Sequence, residues 1–173
     1  WVPDGYACVR IDSRGAGRSA GYMDPWSPKE TDDYVECIEW AGTRDWSNGK
    51  VGLNGISYYG MNQWWVAERQ PKHLAAMCAW EAANDYYREF SRHGGILCTF
   101  IKSWYEMQVQ PVQYGAASNG YRSWVHGDPV AGPLNLSEAD RKKNRTDMAR
   151  DILSREMMDD WYLAREPDFK KIK

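Results

Sequence analysis

The sequence lacks a long apolar run and an excess of positive charge, and these two absences exclude broad classes of function. No stretch approaches the ~18 consecutive apolar residues of a membrane span, and the first residues do not resemble a signal peptide. The 22 Lys and Arg residues are outnumbered by 24 Asp and Glu residues, for a net charge of −2. No basic surface is therefore available to hold nucleic acid by counterion release. We predict a soluble domain with neither a membrane nor a nucleic-acid partner.

Cysteine and histidine are both sparse and scattered. No Cys-x-x-Cys pair occurs, and the three histidines lie far apart, so no spacing supports a zinc site. We interpret the cysteines as small buried apolar residues in a reducing compartment, which favours the cytoplasm, and we predict no metal or organic cofactor. They are Cys8, Cys37, Cys78 and Cys98.

The length of 173 residues is sufficient for one compact domain. Phenylalanine is rare, with 3 residues, whereas there are 10 Trp and 11 Tyr, and these rings carry a polar atom that suits a pocket wall as well as a core. The chain begins at Trp1 rather than at a methionine, and no stop signal marks its end at Lys173. We therefore expect it to be part of a longer protein.

Strands and helices alternate in the first 80 residues. Apolar runs predict strands at Tyr6–Ile11, Val51–Asn54 and Leu74–Trp80. Ser27 as N-cap and Pro28 at the first position predict a helix that ends at Gly42, and 58–70 has helical composition. This alternation predicts an α/β fold whose parallel strands are joined by crossover helices.

The second half of the chain has a different pattern. Residues 96–109, 137–143 and 146–165 have helical character and are joined by turn-rich segments. We therefore predict the first part of an α/β core at 1–85 and a helical cap insertion at 86–173.

The strongest chemical motif is Gly55-Ile56-Ser57-Tyr58-Tyr59-Gly60, between a predicted strand and a predicted helix. A serine at such a turn is held in a strained backbone that exposes its hydroxyl above the sheet. The free N–H groups at the start of the helix can stabilise an oxyanion beside it. These residues indicate Ser57 as a nucleophile and the Tyr58 N–H as an oxyanion donor, although a turn with a serine helix cap has the same composition.

Three further motifs have weaker support. Ser57, Asp85 and His126 occur in the order of a Ser-acid-His triad, and His93 also follows the serine. The glycines of 14–21 resemble a dinucleotide-binding loop, but no helix opens directly from them. Several aromatic residues of the second half could line an acyl pocket or fill the core: Trp104, Tyr105, Trp124 and Trp161.

Four segments together resemble the α/β-hydrolase family that groups cocaine esterase with X-prolyl dipeptidyl peptidases, α-amino-acid ester hydrolases and glutaryl acylases. They are Asp12-x-Arg14-Gly15-x-Gly17-x-Ser19, Ile38-Glu39-Trp40, Trp46-Ser47-Asn48-Gly49-Lys50-Val51-Gly52 and Gly55-x-Ser57-Tyr58-x-Gly60. This family has its second elbow glycine one position later than the simple Gly-x-Ser-x-Gly pattern, as here.

The resemblance implies an incomplete serine hydrolase that acts on ester or peptide bonds through an acyl-enzyme. It implies that Ser57 is the nucleophile and the Tyr58 N–H one oxyanion donor. It also implies that a second donor, a tyrosine hydroxyl, precedes Trp1, and that the catalytic acid and histidine follow Lys173. The substrate is expected to be a small ester or peptide. Whether the chain forms a homo-oligomer is left open. The alternative is a non-catalytic remnant that serves as a binding or assembly module.

Overall fold

A parallel two-stranded sheet lies at the centre of the first half of the computed structural model, which describes residues 1–116, 120–133 and 136–173. Strand β1 (Val51–Ile56) pairs with β2 (Leu74–Trp80), and helix α2 (Tyr58–Glu68) connects them. The register places Gly55 opposite Ala79 and Ile56 opposite Trp80. The strand-helix-strand alternation confirms the predicted α/β class, and the strand at Leu74–Trp80 has the bounds that the sequence predicts.

Helix α1 (Pro28–Gly42) begins and ends as predicted. The Ser27 hydroxyl accepts the N–H of Glu30 at 3.2 Å, which caps the first turn. A Cβ at Gly42 would lie 2.3 Å from the ring of His73, so only glycine permits this close approach. His73 in turn places its Nδ1 2.6 Å from the Glu39 carboxylate, which joins the end of α1 to the start of β2.

A buried side chain of α2 attaches the helix to the sheet. The Gln63 amide nitrogen donates to the carbonyl of Tyr59 at 2.8 Å and to that of Cys78 in β2 at 3.1 Å. An apolar layer formed by Ile38, Leu53 and Val66 joins α1, β1 and α2. These contacts hold α2 against both strands of the sheet.

The predicted first strand, Tyr6–Ile11, is wrong. The segment has no regular structure, and its apolar side chains are exposed, Tyr6 at 60% and Ile11 at 52%. A strand is stabilised by hydrogen bonds to a neighbour, and within the described residues β1 pairs with β2 alone in its sheet. A short apolar run in the sequence does not show whether a neighbouring strand is present to pair with it.

The predicted helix over 96–109 is only partly correct. Its first residues form β4 (Ile96–Leu97), which pairs with β3 (Arg92–His93) in a short antiparallel hairpin. Helix α3 (Phe100–Trp104) follows and continues as a π-helical turn, Tyr105–Val109. Another π-helical turn, Tyr86–Ser91, precedes the hairpin.

The last predicted helix is divided by side-chain caps. Residues 137–143 form α4 (Glu138–Asn144), close to the prediction, but 146–165 forms α5 (Met148–Leu153) and α6 (Asp160–Leu163). The Asp159 carboxylate accepts the N–H groups of Trp161 and Tyr162 at 3.1 and 3.2 Å. A carboxylate that caps a new helix competes with continuation of the preceding one.

One hydrophobic cluster joins the two halves of the described chain. Arg165 reinforces this junction, because its guanidinium lies 2.5 Å from the Asp24 carboxylate and 3.9 Å from the Trp161 ring centre. The division into 1–85 and 86–173 stays a prediction, and residues 117–119 and 134–135 of the second part lie outside the described residues. The buried members of the cluster are Met23, Trp26, Met61, Trp65, Tyr86, Ile101, Val109, Met148, Ala149, Ile152 and Tyr162.

The cysteines are less buried than the sequence predicts. Cys8 and Cys78 are exposed and Cys37 and Cys98 are intermediate, and all four are free thiols. Cys8 belongs to the exposed segment described above, and Cys78 lies on β2 where the sheet has no cover among the described residues. In the part of the chain that the structure describes, no helix is both long and apolar enough to cross a membrane.

Candidate active site

Ser57 occupies the turn between β1 and α2. Its backbone has a positive φ, with φ 57° and ψ −117°, a combination that non-glycine residues rarely adopt. The side chain is exposed and accepts no N–H of the helix that it precedes. The hydroxyl is therefore free of the capping role that would explain an ordinary serine at this position.

Two glycines of the motif allow the chain to turn this tightly. A Cβ at Gly55 would lie 2.3 Å from the Cβ of Tyr59 and 2.8 Å from its carbonyl oxygen. A Cβ at Gly60 would lie 2.8 Å from both the Cβ of Ala82 and the carbonyl oxygen of Trp80. The two glycines of the shifted spacing Gly-x-Ser-x-x-Gly thus lie at the two places where the backbone of α2 comes closest to the strands.

The backbone hydrogen bonds around Ser57 leave the N–H of Tyr58 unused. The N–H of Ser57 donates to the Trp80 carbonyl at 3.0 Å, and the carbonyl of Ser57 accepts the N–H groups of Gly60 and Met61 at 2.9 and 2.8 Å. Among the hydrogen bonds of the described residues, none uses the N–H of Tyr58. This N–H stands at the positive end of α2, beside the Ser57 hydroxyl.

The Tyr58 side chain is anchored away from the serine. Its ring lies 4.3 Å from the ring of Trp26, and its hydroxyl donates to Oε1 of Glu30 at 2.5 Å. Burial raises the pKa of Tyr58 well above its ordinary value, and the charge of Glu30 raises it further. The hydroxyl therefore keeps its proton and acts as the donor in this contact.

Glu30 is a site residue that the sequence pattern identifies only as an acid in the first turn of α1. Its Oε2 accepts the N–H of Trp26 at 2.7 Å while Oε1 accepts the Tyr58 hydroxyl. Burial raises the pKa of this carboxyl, and the hydrogen bonds from Tyr58 and Trp26 oppose the rise. The available signal was the Ser27-x-x-Glu30 spacing, which predicts a capping box but not a contact with α2.

The alternative set of Ser57, Asp85 and His126 is not assembled in the structure. The Asp85 carboxylate binds Arg88 at 2.6 Å and caps the π-helical turn. His93 places its Nε2 2.7 Å from the carbonyl of Glu89, and His126 is exposed in a turn. Within the described residues, no hydrogen bond joins a histidine to Ser57 or to Asp85.

The glycine-rich loop has a structural explanation. Arg14 forms two hydrogen bonds of 2.7 Å with the Asp33 carboxylate, and the Asp12 carboxylate accepts the N–H of Arg18 at 2.9 Å. Helix α1 begins only at Pro28. The glycines therefore do not lead directly into the helix N-terminus that a pyrophosphate would need.

The aromatic candidates of the second half separate into two groups. Trp104, Tyr105 and Trp161 are partly buried and pack against the main cluster. Trp124 is fully exposed in the turn that follows Tyr121. Core packing accounts for the first three, and neither group encloses Ser57.

Comparison with known proteins identifies the family. The family model for X-Pro dipeptidyl-peptidase (S15 family) matches residues 1–172. Cocaine esterase from Rhodococcus sp. (strain MB1 Bresler) is 36% identical over 88 residues, which are 51% of this chain and 15% of the esterase. Xaa-Pro dipeptidyl-peptidase from Lactobacillus helveticus is 28% identical over 108 residues, 54% of this chain and 14% of the peptidase.

Solved structures agree in fold. A CocE/NonD family hydrolase from Staphylococcus aureus superposes with a TM-score of 0.69 at 34% identity, over 93% of this chain and 24% of its own. A second crystal structure of the hydrolase gives a TM-score of 0.67 at 32% identity. The chain thus has part of an α/β-hydrolase fold and spans about a quarter of the solved relative and about a seventh of the curated ones.

Proposed function

The chain belongs to the X-Pro dipeptidyl-peptidase (S15) family of hydrolases, and from this premise we propose that it carries the nucleophile of a serine hydrolase for ester or amide bonds. One observation carries the proposal. An exposed serine with a positive φ lies between a parallel strand and a helix whose first N–H is unused. This arrangement supplies a nucleophile and an oxyanion donor at one point.

The proposed reaction proceeds through an acyl-enzyme. Ser57 Oγ attacks the carbonyl carbon of the substrate while a base takes the hydroxyl proton, and the Tyr58 N–H stabilises the oxyanion. The C–O or C–N bond then breaks, and the alcohol or amine leaves with that proton. Water attacks the acyl group and releases a carboxylic acid and the free serine.

The base is a further part of the proposal. His73 is engaged with Glu39, His93 contacts a backbone carbonyl and His126 lies in an exposed turn. We assign the general base to none of these three histidines. The carboxylate that would orient the base is therefore not assigned either. Without its base, a serine hydrolase loses on the order of 10⁶ in rate, so slow turnover is expected of the chain alone.

A fluorophosphonate probe with peptide mapping tests the nucleophile. We expect labelling at Ser57 that is lost in Ser57→Ala and kept in the control Ser103→Ala, since Ser103 is an exposed serine within α3. Labelling of other serines at equal rate would contradict the proposal.

A second candidate is a binding or assembly module, and exposed apolar side chains on the sheet favour it. Ile56 and Trp80, paired at the ends of β1 and β2, are 53% and 60% exposed. A folded chain that takes no fluorophosphonate label would favour this candidate over the hydrolase.

A further inference from the structure

The Glu30 carboxylate connects the starts of two helices. Glu30 is the third residue of α1, and its Oε1 accepts the hydroxyl of Tyr58, the first residue of α2. The two residues are 28 positions apart in the chain. A carboxylate shared in this way fixes the relative position of the two helix N-termini.

Ser27 and Glu30 have the spacing of a capping box, but only half of that box is formed. Ser27 accepts the N–H of Glu30, but the N–H of Ser27 donates to the carbonyl of Asp24 at 3.2 Å rather than to Glu30. The glutamate oxygens are thereby released for Trp26 and Tyr58. Glu30 does not accept the N–H of Ser27, as the third residue of a helix does in a capping box. It accepts the hydroxyl of Tyr58, the residue beside Ser57, instead.

Two strained residues flank this connection. Trp26 and Ser57 both have a positive φ, of 54° and 57°. Glu30 holds the N–H of Trp26 directly, and it holds Ser57 through the adjoining Tyr58. Strained conformations persist only where surrounding contacts impose them, so the bridge acts on both residues.

We propose that Glu30 is a positioning residue that holds the Tyr58 N–H in register with Ser57 Oγ for acyl transfer. The anchored hydroxyl and the N–H belong to one residue, and the ring between them is wedged against Trp26. A small displacement of an oxyanion donor or nucleophile lowers reactivity strongly. This inference rests on the proposed function.

The test compares Glu30→Gln, Tyr58→Phe and the double variant of the 173-residue chain. Tyr58→Phe deletes one oxygen and keeps the ring and the Glu30 bond to Trp26. We expect each single variant to slow fluorophosphonate labelling of Ser57 about tenfold and the double variant to slow it no further, since all three lose the same charge-assisted hydrogen bond. Wild-type labelling in Tyr58→Phe, or a product of the two single effects in the double variant, would overturn the inference.

Asp140→Asn is the matched control. Asp140 is the third residue of α4, and its N–H donates to the Ser137 hydroxyl at 3.1 Å, as Glu30 does to Ser27 in α1. This carboxylate forms its side-chain bonds with Ser137 and Lys143. Labelling of Asp140→Asn at the wild-type rate is expected.

Amide NMR separates the positioning role from the proposed function. If wild-type Ser57 takes no label, the proposed function fails, but the position of the Tyr58 N–H is still read from its ¹H–¹⁵N shift and hydrogen exchange. A shifted and faster-exchanging Tyr58 amide in Glu30→Gln and Tyr58→Phe, and not in Asp140→Asn, supports the inference. If the shift and the hydrogen exchange of the residue-58 amide are unchanged in Tyr58→Phe, the inference is overturned, even if Glu30→Gln does not fold.

Discussion

At the scale of single residues, Gly52 and Gly55 show how position decides what a glycine does. Both lie in β1, yet a Cβ at Gly52 would meet nothing within 4 Å, whereas a Cβ at Gly55 would collide with backbone atoms of Tyr59. The turn at Ser57 therefore depends on Gly55, and Gly52 is a position where a methyl group can be added freely.

Gly55→Ala is expected to destabilise the chain by about 1–3 kcal/mol, because the added methyl group forces α2 away from β1. Gly52→Ala is the control and should stay within about 0.5 kcal/mol of wild type. Urea unfolding followed by circular dichroism measures both. Equal free energies of unfolding for the two variants would contradict the close approach at Gly55.

Some residues of the site follow from sequence and others do not. Ser57 and Tyr58 are indicated by the Gly-x-Ser-x-x-Gly spacing after an apolar run, which is local information. Their roles stay proposals. The contact of Glu30 with Tyr58 depends on how α1 packs beside α2, and nothing in the local pattern of α1 reports it. The same limit applies to Asp85, whose bonding to Arg88 becomes evident only in the π-helical turn.

At the scale of elements, predictions succeed where the determinants are local. The Ser27 cap and Pro28 define the start of α1, and the apolar run Leu74–Trp80 has the bounds of β2. They fail where a distant partner decides the outcome. Tyr6–Ile11 has strand composition without a neighbouring strand, and the Asp159 cap divides a helical pattern that looks continuous.

The segment after α6 is joined to the π-helical turn by a pair of carboxyl groups. Burial, followed by the charge of the nearby Asp85, raises the pKa of Glu166 to about 7. Burial also raises the pKa of Asp85, but hydrogen bonds from Arg88 outweigh it and lower the net value. Glu166 therefore takes up a proton more readily than Asp85.

This pair predicts how stability depends on pH. The pKa of Glu166 is higher in the folded than in the unfolded chain. Its contribution to the free energy of unfolding is therefore complete below about pH 4.5 and is lost as the pH rises through about 7. Because the side chain is partly solvated, the loss should be about 1 kcal/mol. Glu166→Gln should show no such loss in urea unfolding across this range. An identical decline in the variant would assign the pH dependence to other groups.

At the scale of the whole molecule, both halves share one core but leave part of the sheet exposed. The aromatic cluster around Trp26, Tyr86 and Tyr162 draws on α2, the π-helical turn and the last helices. Pattern analysis predicts the α/β class from alternation, but it cannot predict that helices distant in sequence pack on Trp26. The exposed ends of β1 and β2 at Ile56 and Trp80 are the observation that the binding-module alternative explains best.

The claim that Ser57 accepts an acyl group is tested most directly by trapping that group. The chain is mixed with p-nitrophenyl acetate, quenched with acid and mapped by peptide mass spectrometry, with Ser57→Ala treated in parallel. We predict an acetyl group on the peptide that contains Ser57 in the wild-type chain and no acetyl group on that peptide in the variant. Acetylation confined to lysines, with the same pattern in both chains, would contradict the account.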